Sequence, residues 1–335
     1  MPDRTADGLL GIVDVAYHLP GEVVDIADYG ARHAVAPDLV ERLIGNHVRH
    51  FHDGSDCSDG DLIGHAVEAL CDHRGRRWLA DVAYMIHART QPFSAPAAPM
   101  SVVNELIARF GMTPRLAFGV EQLACAGVVR AIDWACRLLR DDPAARYAMV
   151  VTSDRVFGGP EWRIRQDAGV QTDGGSAILI GRENLRCAIG TISYKTFPGL
   201  HEGPSTPENR AAIARYSWHQ TKHAFVEHAQ AAGGSVDDVA MYMPVNADHH
   251  YWGLIADAMR VPAERFFLDN ITNRGHACCN DLALNLVDGG LPVIALGGTV
   301  VYCGQSNLGI YANISFLPVP EPDAVDPATA LEVAA

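Results

Sequence analysis

The sequence predicts an α/β fold in which helices cover layers of buried strands. Short apolar segments of strand length alternate with segments whose apolar residues recur at helical spacing, and glycines and prolines separate them. The same alternation runs through the second half of the chain, which suggests an internal duplication. A chain of 335 residues with 48% apolar residues can build a core in each half, and we place the halves at 1–183 and 184–335.

The first half opens with an apolar segment, 9–17, that suits a buried strand. Helical spacing of apolar residues predicts one helix over 62–74 and another over 101–110, which ends at Gly111. Apolar segments between turn residues predict the remaining strands of this half, and a third helix is expected after the second of them. These segments are strands over 78–86, 115–120, 147–152 and 176–180, and the helix over 125–139.

The second half repeats this theme more loosely. Its long helix, 211–232, ends at Gly233, and a shorter helix over 280–287 is expected to end at Gly289. A further helix is predicted over 250–259, before Pro262. The predicted strands of this half cover 185–193, 239–245, 292–296 and 308–316.

The charge balance argues against nonspecific binding of polyanions. Lys+Arg total 26 and Asp+Glu total 40, so the formal net charge is −14, which disfavours nonspecific contact with nucleic acid or an anionic membrane. No apolar run reaches the ~18 residues of a membrane span, and the first residues lack a basic segment followed by an apolar one. We therefore expect a soluble, cytoplasmic protein with no nucleic-acid or membrane partner.

One of the eight cysteines stands where chemistry is expected. No CxxC pair is present, so neither a zinc ribbon nor a thioredoxin-like site is predicted. Cys125 follows an apolar strand and a turn of small residues, at the start of a predicted helix. The helix dipole lowers the pKa of a thiol there, and free backbone N–H groups can hold an oxyanion. Two interpretations fit: a nucleophile, or a small cysteine that packs a strand–helix corner.

Several blocks of the sequence carry a resemblance to a known family. Three of them are Leu-Ala-Cys-Ala-Gly at 123–127, Thr-Asp-Gly-Gly-Ser-Ala at 172–177 and Leu-Gly-Gly at 296–298. Their order, together with the blocks at 244–248 and 273–276, resembles beta-ketoacyl-carrier-protein synthase III of the thiolase superfamily over almost the whole chain. The resemblance implies a thiolase-like, duplicated five-layer α/β/α/β/α fold and a homodimer.

The resemblance also implies a chemistry. Cys125 would be acylated from a thioester on the phosphopantetheine arm of coenzyme A or an acyl carrier protein, without a permanently bound cofactor. The N–H groups of Cys125 and Gly298 would hold the oxyanion. Arg165, a closer match than Arg163, would meet a phosphate of the donor unless it lies in an exposed charged loop. His201 would line the acceptor side of the site unless it is a plain surface-loop histidine.

Two positions depart from the family pattern. Family members complete the site with a histidine in a Pro-His block and an asparagine after a glycine, whereas here Val245 follows Pro244 and His276 follows Gly275. The two usual side chains donate hydrogen bonds to the malonyl thioester carbonyl, and one such donor is worth roughly 10²–10³ in rate. The departures therefore favour acyl transfer over carbon–carbon bond formation.

An antibiotic-pathway branch of the family resembles this arrangement. Its members combine the cysteine with a histidine in a Gly-His block and an aspartate five residues later, which correspond here to His276 and Asp281. His276 would deprotonate Cys125 and then the acceptor, and Asp281 would orient the imidazole. The predicted function is acyl transfer through acyl-Cys125 to a hydroxyl, amine or thiol acceptor in secondary metabolism. The alternatives are a decarboxylative condensing enzyme that sets a polyketide starter unit, and a non-enzymatic thiolase-fold subunit.

Two neighbouring pairs of metal-ligating residues are interpreted structurally. His249 and His250 rarely share one metal as adjacent residues, and Asp248 before them is expected to cap a helix. Cys278 and Cys279 would close only a strained ring as a disulfide, so both are interpreted as packing residues. No metal site is predicted.

Overall fold

The computed structural model describes residues 9–21, 23–90, 100–164, 169–200, 205–306 and 309–320. Within these ranges the strands are β1 (Gly11–His18), β2 (Val23–Asp25), β3 (His50–His52), β4 (Val82–Ala88), β5 (Leu116–Val120), β6 (Tyr147–Asp154), β7 (Gly174–Gly181), β8 (Cys187–Thr196), β9 (Met241–Pro244), β10 (Val300–Ser306) and β11 (Ile310–Leu317). The α-helices are α1 (Ile26–Arg32), α2 (Pro37–Gly45), α3 (Asp59–Arg74), α4 (Val102–Phe110), α5 (Gly127–Asp141), α6 (Pro160–Arg163), α7 (Pro207–Ala231), α8 (His249–Met259), α9 (Asp269–Asn273), α10 (Asp281–Asn285) and α11 (Leu291–Ala295).

Hydrogen bonds connect nine strands into one sheet, in the order β5-β4-β6-β7-β1-β8-β11-β10-β9. β4 pairs in parallel with β5 and β6, whereas β7 runs antiparallel to β6 and β1. β10 likewise pairs in parallel with β9 and antiparallel with β11, which is antiparallel to β8. The two ends of the sheet thus repeat one arrangement, and they join where Gly11 and Ile12 pair with Ala188 and Cys187.

Within the described ranges, the second arrangement has no strand that corresponds to β5. Only Phe266 stands in that place, through a parallel bridge to Tyr242 of β9. The chain around it forms a 3₁₀ turn, Ala263–Arg265, and the short helix α9. The topology agrees with the expected duplication, and the boundary at residue 183 stays a prediction.

Two helical segments occupy equivalent places in the two arrangements. α5 follows β5, and α10 follows the Phe266 bridge and continues through a π-helical turn into α11. Both segments bury apolar side chains in the same core cluster, such as Ile132 of α5 and Leu282 of α10. A 3₁₀ turn precedes each segment, Ala124–Ala126 in the first and Cys278–Asn280 in the second, and the two turns are in contact. The fold therefore brings the beginnings of two equivalent helices together.

The strand predicted over 292–296 is wrong, because this segment is helical. Pro292 lies in the first turn of α11, where its missing N–H is tolerated, and the helix runs on from α10 without the predicted stop at Gly289. Gly289 and Gly290 serve close packing instead, since a Cβ would lie 2.6 Å from the Phe267 ring and 2.8 Å from the Met243 sulfur, respectively. The strand of this region is β10, farther along the chain.

Other boundaries agree with the signals in the sequence. Ser101 caps α4 by accepting a hydrogen bond from Asn104, and Gly111 ends that helix in the left-handed conformation. Asp248 caps α8 as expected. The segment predicted as a strand over 78–86 begins with a 3₁₀ turn, so β4 starts only at Val82. In the described part of the chain, no helix has the length and apolar character needed to cross a bilayer.

Gly175 shows that the Asp-Gly-Gly block is a packing junction. A Cβ at this position would lie 2.4 Å from the carbonyl carbon of Leu62 and 2.8 Å from the backbone nitrogen of Ile63, both in α3. Backbone atoms of a packed helix cannot move aside as a flexible side chain would. Nearby, the buried Asp173 forms an ion pair of 3.0 Å with the buried Arg163. Gly174 and Gly175 begin β7, so the turn that the Asp-Gly-Gly sequence suggests is wrong, and the block is instead a buried strand start packed against α3.

Replacing Gly175 with alanine should destabilise the fold, because the new methyl group meets the α3 backbone and overpacking of this kind costs about 1–3 kcal/mol. The matched control is Gly253→Ala in α8, where a Cβ meets nothing within 4 Å. That change should stabilise the protein by about 0.5–1 kcal/mol, because alanine is the better helix former. Thermal denaturation measures both effects, and a Gly175→Ala melting temperature at or above wild type contradicts the packing argument.

Candidate active site

Cys125 lies in the turn that precedes α5, where the sequence placed it. The turn is strained, because Gln122 and Ala124 have left-handed φ angles of 64° and 46° that non-glycine residues rarely adopt. Cys125 itself is the middle residue of the 3₁₀ turn, so its thiol lies at the positive end of the 15-residue helix α5. Its exposed fraction is 7%, so the thiol is almost fully enclosed.

His276 comes from the region before the equivalent turn. Its backbone is held like that of a strand residue, because its N–H donates to Val170 and its carbonyl accepts from Thr172. Gly275 makes this approach possible, since its φ is 73° and a Cβ would lie 2.9 Å from the Val170 carbonyl oxygen. These backbone hydrogen bonds fix the position of His276 independently of the contacts that its imidazole makes.

The structure brings Cys125, His276 and Asp281 together in one chain of hydrogen bonds. Cys125 Sγ lies 3.2 Å from His276 Nε2, and His276 Nδ1 lies 2.5 Å from Asp281 Oδ2. The carboxylate also accepts 2.7 Å hydrogen bonds from the N–H groups of Ala277 and Asn246. Burial raises the pKa of Asp281, and these donors are the contacts that favour its charged form.

Cys125 and His276 form a buried ion pair. The hydrogen bond from Cys278 and the charge of His276 hold the pKa of the Cys125 thiol well below its usual range, against the effect of burial. Burial favours a neutral imidazole, but the charges of Asp281 and Cys125 outweigh it and hold the pKa of His276 well above its usual range. Between the two pKa values, the nucleophile is a thiolate and its neighbour an imidazolium.

Cys278 lies at this centre, so its interpretation as a packing residue is wrong. Its sulfur lies within 4.8 Å of both the Cys125 sulfur and a nitrogen of His276. Cys279, by contrast, directs its sulfur to Thr90 Oγ1 at 3.3 Å and to the Ala124 carbonyl at 3.4 Å. The position of Cys278, two residues after His276 in the turn that mirrors the Cys125 turn, is the signal that could have identified it.

Gly298 does not adjoin Cys125, so its predicted role as an oxyanion donor is wrong. Its N–H donates to the Val293 carbonyl at 3.0 Å and thereby ends α11, and a Cβ there would meet Val293 and Ala240. The role came from the family resemblance of the Leu-Gly-Gly block at 296–298, which the structure places at the end of α11. The glycine that approaches the nucleophile is Gly304 of β10, where a Cβ would lie 3.1 Å from the Cys125 carbonyl oxygen.

Two further residues define the walls of the site. Val245 is buried in the main core cluster, and its side chain has no hydrogen-bond donor. The next residue, Asn246, donates its backbone N–H to Asp281. Tyr302 lies two residues before Gly304 in β10 and therefore faces the same side of the sheet. Its side chain is fully buried. Burial raises the pKa of its hydroxyl well above the usual range, and the charges of Asp281 and Cys125 raise this pKa further.

The remaining predicted binding residues are Arg165 and His201, which lie outside the described residues. Arg163, the less close match to the phosphate-binding arginine, is a structural residue. Its guanidinium is buried, binds Asp173 and donates to the carbonyl oxygen of Gln171. A cavity of about 570 Å³ opens between the beginnings of α3 and α4, next to Arg155, and Cys125 and His276 are not among its lining residues.

Comparisons with known proteins show what the chain is similar to. Residues 121–196, which include Cys125, match the family model of 3-Oxoacyl-[acyl-carrier-protein (ACP)] synthase III. A beta-ketoacyl-[acyl-carrier-protein] synthase III from Sphingopyxis alaskensis is 24% identical over 265 residues, which cover 75% of this chain and 80% of the relative. One from Roseiflexus castenholzii is 27% identical over 186 residues, which cover 49% of this chain and 56% of the relative.

Solved structures show the fold. ChlB3, described as an acyltransferase, superposes with a TM-score of 0.78 at 18% identity, covering 93% of this chain and 98% of its own. The synthase III FabH from Pseudomonas aeruginosa superposes with a TM-score of 0.77 at 18% identity, covering 94% of this chain and 100% of its own. OleA from Xanthomonas campestris, with bound lauric acid and lauroyl-CoA, superposes with a TM-score of 0.74 at 11% identity, covering 92% of this chain and 99% of its own. The predicted thiolase-like α/β fold is thereby confirmed, and in sequence the chain is similar to synthase III enzymes.

Replacing His276 with alanine should raise the pKa of Cys125, because the positive charge beside the thiolate is lost and burial then dominates. The rate of alkylation by iodoacetamide, measured as a function of pH, reports the thiolate. Wild type should react at a constant rate through neutral pH and slow only as the pH falls through the low pKa of Cys125. In the variant, each unit by which the pKa exceeds the working pH lowers the thiolate fraction about tenfold.

The Cys125→Ala variant is the control, since it shows how much label other cysteines accept. An unchanged pH profile in His276→Ala would mean that the imidazole does not stabilise the thiolate.

Proposed function

We propose that this ketosynthase III-like enzyme takes an acyl group from a phosphopantetheine thioester, holds it on Cys125, and transfers it to a hydroxyl, amine or thiol acceptor. The observation that supports this most directly is the buried chain of contacts Cys125–His276–Asp281. A thiolate beside an imidazolium supplies both the nucleophile and the proton donor that exchange between two thioesters requires.

In the first half-reaction the Cys125 thiolate attacks the thioester carbonyl carbon. The new carbon–sulfur bond moves an electron pair onto the carbonyl oxygen, and the N–H of Cys125 and the backbone of β10 at Gly304 are the proposed oxyanion donors. When the tetrahedral intermediate collapses, the carbon–sulfur bond to the pantetheine breaks. His276 gives its Nε2 proton to the departing thiolate, so the acyl-enzyme forms beside a neutral imidazole.

In the second half-reaction the neutral His276 removes a proton from the acceptor as the acceptor attacks acyl-Cys125. Collapse of the second intermediate releases the product and restores the Cys125 thiolate and the imidazolium. Asp281 stabilises the positive charge whenever His276 holds the extra proton and keeps the imidazole in the orientation that both steps need. No proton has to cross bulk solvent within the cycle.

Other observations support the proposed donor, the metabolic setting and the expected homodimer. ChlB3, a solved structure of the same fold, is described as an acyltransferase, which supports acyl transfer. The names of the synthase III relatives include an acyl carrier protein, and OleA binds lauroyl-CoA, which supports a carrier protein or coenzyme A as donor. Secondary metabolism is the proposed setting. The expected homodimer is supported by the outer strand β5, which ends the sheet and leaves Leu116 45% exposed. An unpaired strand edge of this kind can pair with a second copy.

Decarboxylative condensation is the second candidate, and the names of the curated relatives favour it, since each is a synthase III. That reaction needs donors for an enolate, and Val245 offers none from its side chain. His276 is the other donor at the centre, but here it is engaged with Cys125 and Asp281. The site therefore favours acyl transfer.

The test is to incubate the protein with a panel of acyl-CoA and acyl-carrier thioesters and to measure its intact mass. Wild type should gain the mass of one acyl group with at least one donor, and Cys125→Ala should gain none. The Asp281→Asn variant should form the adduct roughly 10²–10⁴ times more slowly, because the imidazolium loses its counter-charge. An adduct that persists in Cys125→Ala contradicts the proposal.

Addition of malonyl thioester to the preformed acyl-enzyme separates the two candidates. Acyl transfer predicts that no CO₂ is released in step with loss of the acyl group. Stoichiometric CO₂ release would instead identify a condensing enzyme.

A further inference from the structure

A cluster of metal-ligating side chains coincides with the reaction centre. Ligand atoms of Cys125, His276 and Cys278 all lie within 4.8 Å of one another, and the three residues are buried. The Cys125 sulfur and the His276 nitrogen are 3.2 Å apart. Cys278 already donates a hydrogen bond that favours the Cys125 thiolate, and its sulfur also adds a second soft ligand atom beside the imidazole.

We propose that this centre binds a soft divalent cation, Zn²⁺ in particular, through the sulfurs of Cys125 and Cys278 and through Nε2 of His276. Two thiolates and one imidazole form a common zinc ligand set that leaves a fourth position open. Zinc bonds of about 2.3 Å to sulfur and about 2.0 Å to nitrogen place tetrahedral ligand atoms roughly 3.5–4 Å apart. The observed cluster therefore needs small side-chain adjustments to close around the ion.

Asp281 already provides the outer contact that such a site needs. Metal-bound histidines usually donate their other ring N–H to a carboxylate, which fixes the tautomer and the ring orientation. His276 Nδ1 contacts Asp281 at 2.5 Å, so Nε2 is the nitrogen that faces the two sulfurs. The same contact that orients the proposed base thus prepares a zinc ligand.

The proposed zinc site carries no net charge. Two thiolates and one neutral imidazole balance the charge of the dication, and the protons that binding displaces leave to solvent. A neutral centre suits a buried, low-dielectric region, where an unbalanced charge would be costly.

Zinc bound in this way holds the electron pair of the nucleophile, so Cys125 cannot attack a thioester until the metal leaves. The proposal therefore adds a reversible, metal-blocked state that goes beyond acyl transfer. Cys279 provides the contrast, because its sulfur contacts Thr90 and the Ala124 carbonyl instead of the cluster.

The experiment titrates fully reduced protein with Zn²⁺ against a chromophoric chelator, and with Co²⁺ to detect thiolate-to-metal charge-transfer absorption. Wild type should bind one metal ion per chain with that absorption. Cys278→Ala should weaken binding by at least about tenfold, because loss of even an outer contact typically costs 10–100-fold. Cys279→Ala, a matched loss of the neighbouring buried thiol, should bind like wild type.

Equal weakening in both variants, or binding by wild type without charge-transfer absorption, overturns the proposal. Melting temperatures confirm that both variants are folded, and His276→Gln replaces Cys278→Ala should the latter unfold. The titration needs no thioester, so its result does not depend on acyl transfer: a protein that binds zinc but is never acylated contradicts only the proposed function.

A separate observation concerns Tyr302. The inference drawn from it rests on the proposed function. Its hydroxyl is buried and, among the described residues, has no hydrogen-bond partner. A buried hydroxyl without a partner costs about 1–3 kcal/mol, so its retention calls for a reason. Its ring lies 3.4 Å from the Cβ position of Gly304, which in turn lies 3.1 Å from the Cys125 carbonyl oxygen.

We infer that the Tyr302 hydroxyl donates a hydrogen bond to the substrate at the reaction centre. The Val245 side chain, which follows β9, offers no donor, whereas Tyr302 lies on the neighbouring strand β10 with its ring next to Gly304, the glycine that approaches Cys125. A donor left unpaired in the free enzyme is ready for an oxygen that arrives with the substrate and develops charge during the reaction.

Tyr302→Phe tests this role against its matched control, Tyr242→Phe. Tyr242 is equally buried, but its hydroxyl donates to the Val236 carbonyl at 2.7 Å. Tyr302→Phe should raise or preserve the melting temperature while it slows acyl-enzyme formation about 10²-fold, with iodoacetamide alkylation of Cys125 unchanged. Tyr242→Phe should lower the melting temperature and keep the rate.

A wild-type rate in Tyr302→Phe overturns the inference and leaves the proposed function intact. Absence of an acyl-enzyme in wild type itself would instead remove the proposed function.

Discussion

The structure depends on a buried carboxylate at the start of an inner helix. Asp281 is enclosed completely, and it persists there because the His276 imidazole and the N–H groups of Ala277 and Asn246 all donate to it. Each donor comes from a different local element, so the carboxylate ties β9, the turn before α10 and the histidine into one unit. Without it, a buried imidazolium would lack a counter-charge, and the Cys125 thiolate would lack its partner.

The duplicated topology explains how distant residues meet. The turn before α5 and the turn before α10 are equivalent parts of two similar arrangements, and both contain a non-glycine residue with a left-handed φ angle, Ala124 in one and Cys278 in the other. Because both helices bury apolar side chains in one core cluster and the turns before them are in contact, the beginnings of both helices lie at the same place. One turn contributes the nucleophile, and the segment around the other contributes the base, its counter-charge and a second thiol.

The sequence indicated the fold class, most strands and helices, and the three residues that meet at the centre. These predictions succeeded because apolar periodicity and the motif blocks are local signals in the sequence. The errors arose where the signal depends on tertiary contacts. Gly289 and Gly290 resemble a helix stop but serve close packing against Phe267 and Met243. That interpretation placed a strand at 292–296, whereas the oxyanion role of Gly298 came from the family resemblance and cannot be filled by an N–H that ends α11. Cys278 could have been identified only from its place two residues after His276, and Tyr302 carries no sequence signal of its own, because only the folded chain places it near Gly304 and Cys125.

The valine at 245 and the histidine at 276 form a matched set with Asp281. With valine there, that position joins the apolar core, and the contribution of this segment becomes the backbone N–H of Asn246. The whole charge of Asp281 then acts on His276, which keeps the thiolate–imidazolium pair populated. The substitution that removes an enolate donor is therefore the same one that concentrates the site on activating Cys125.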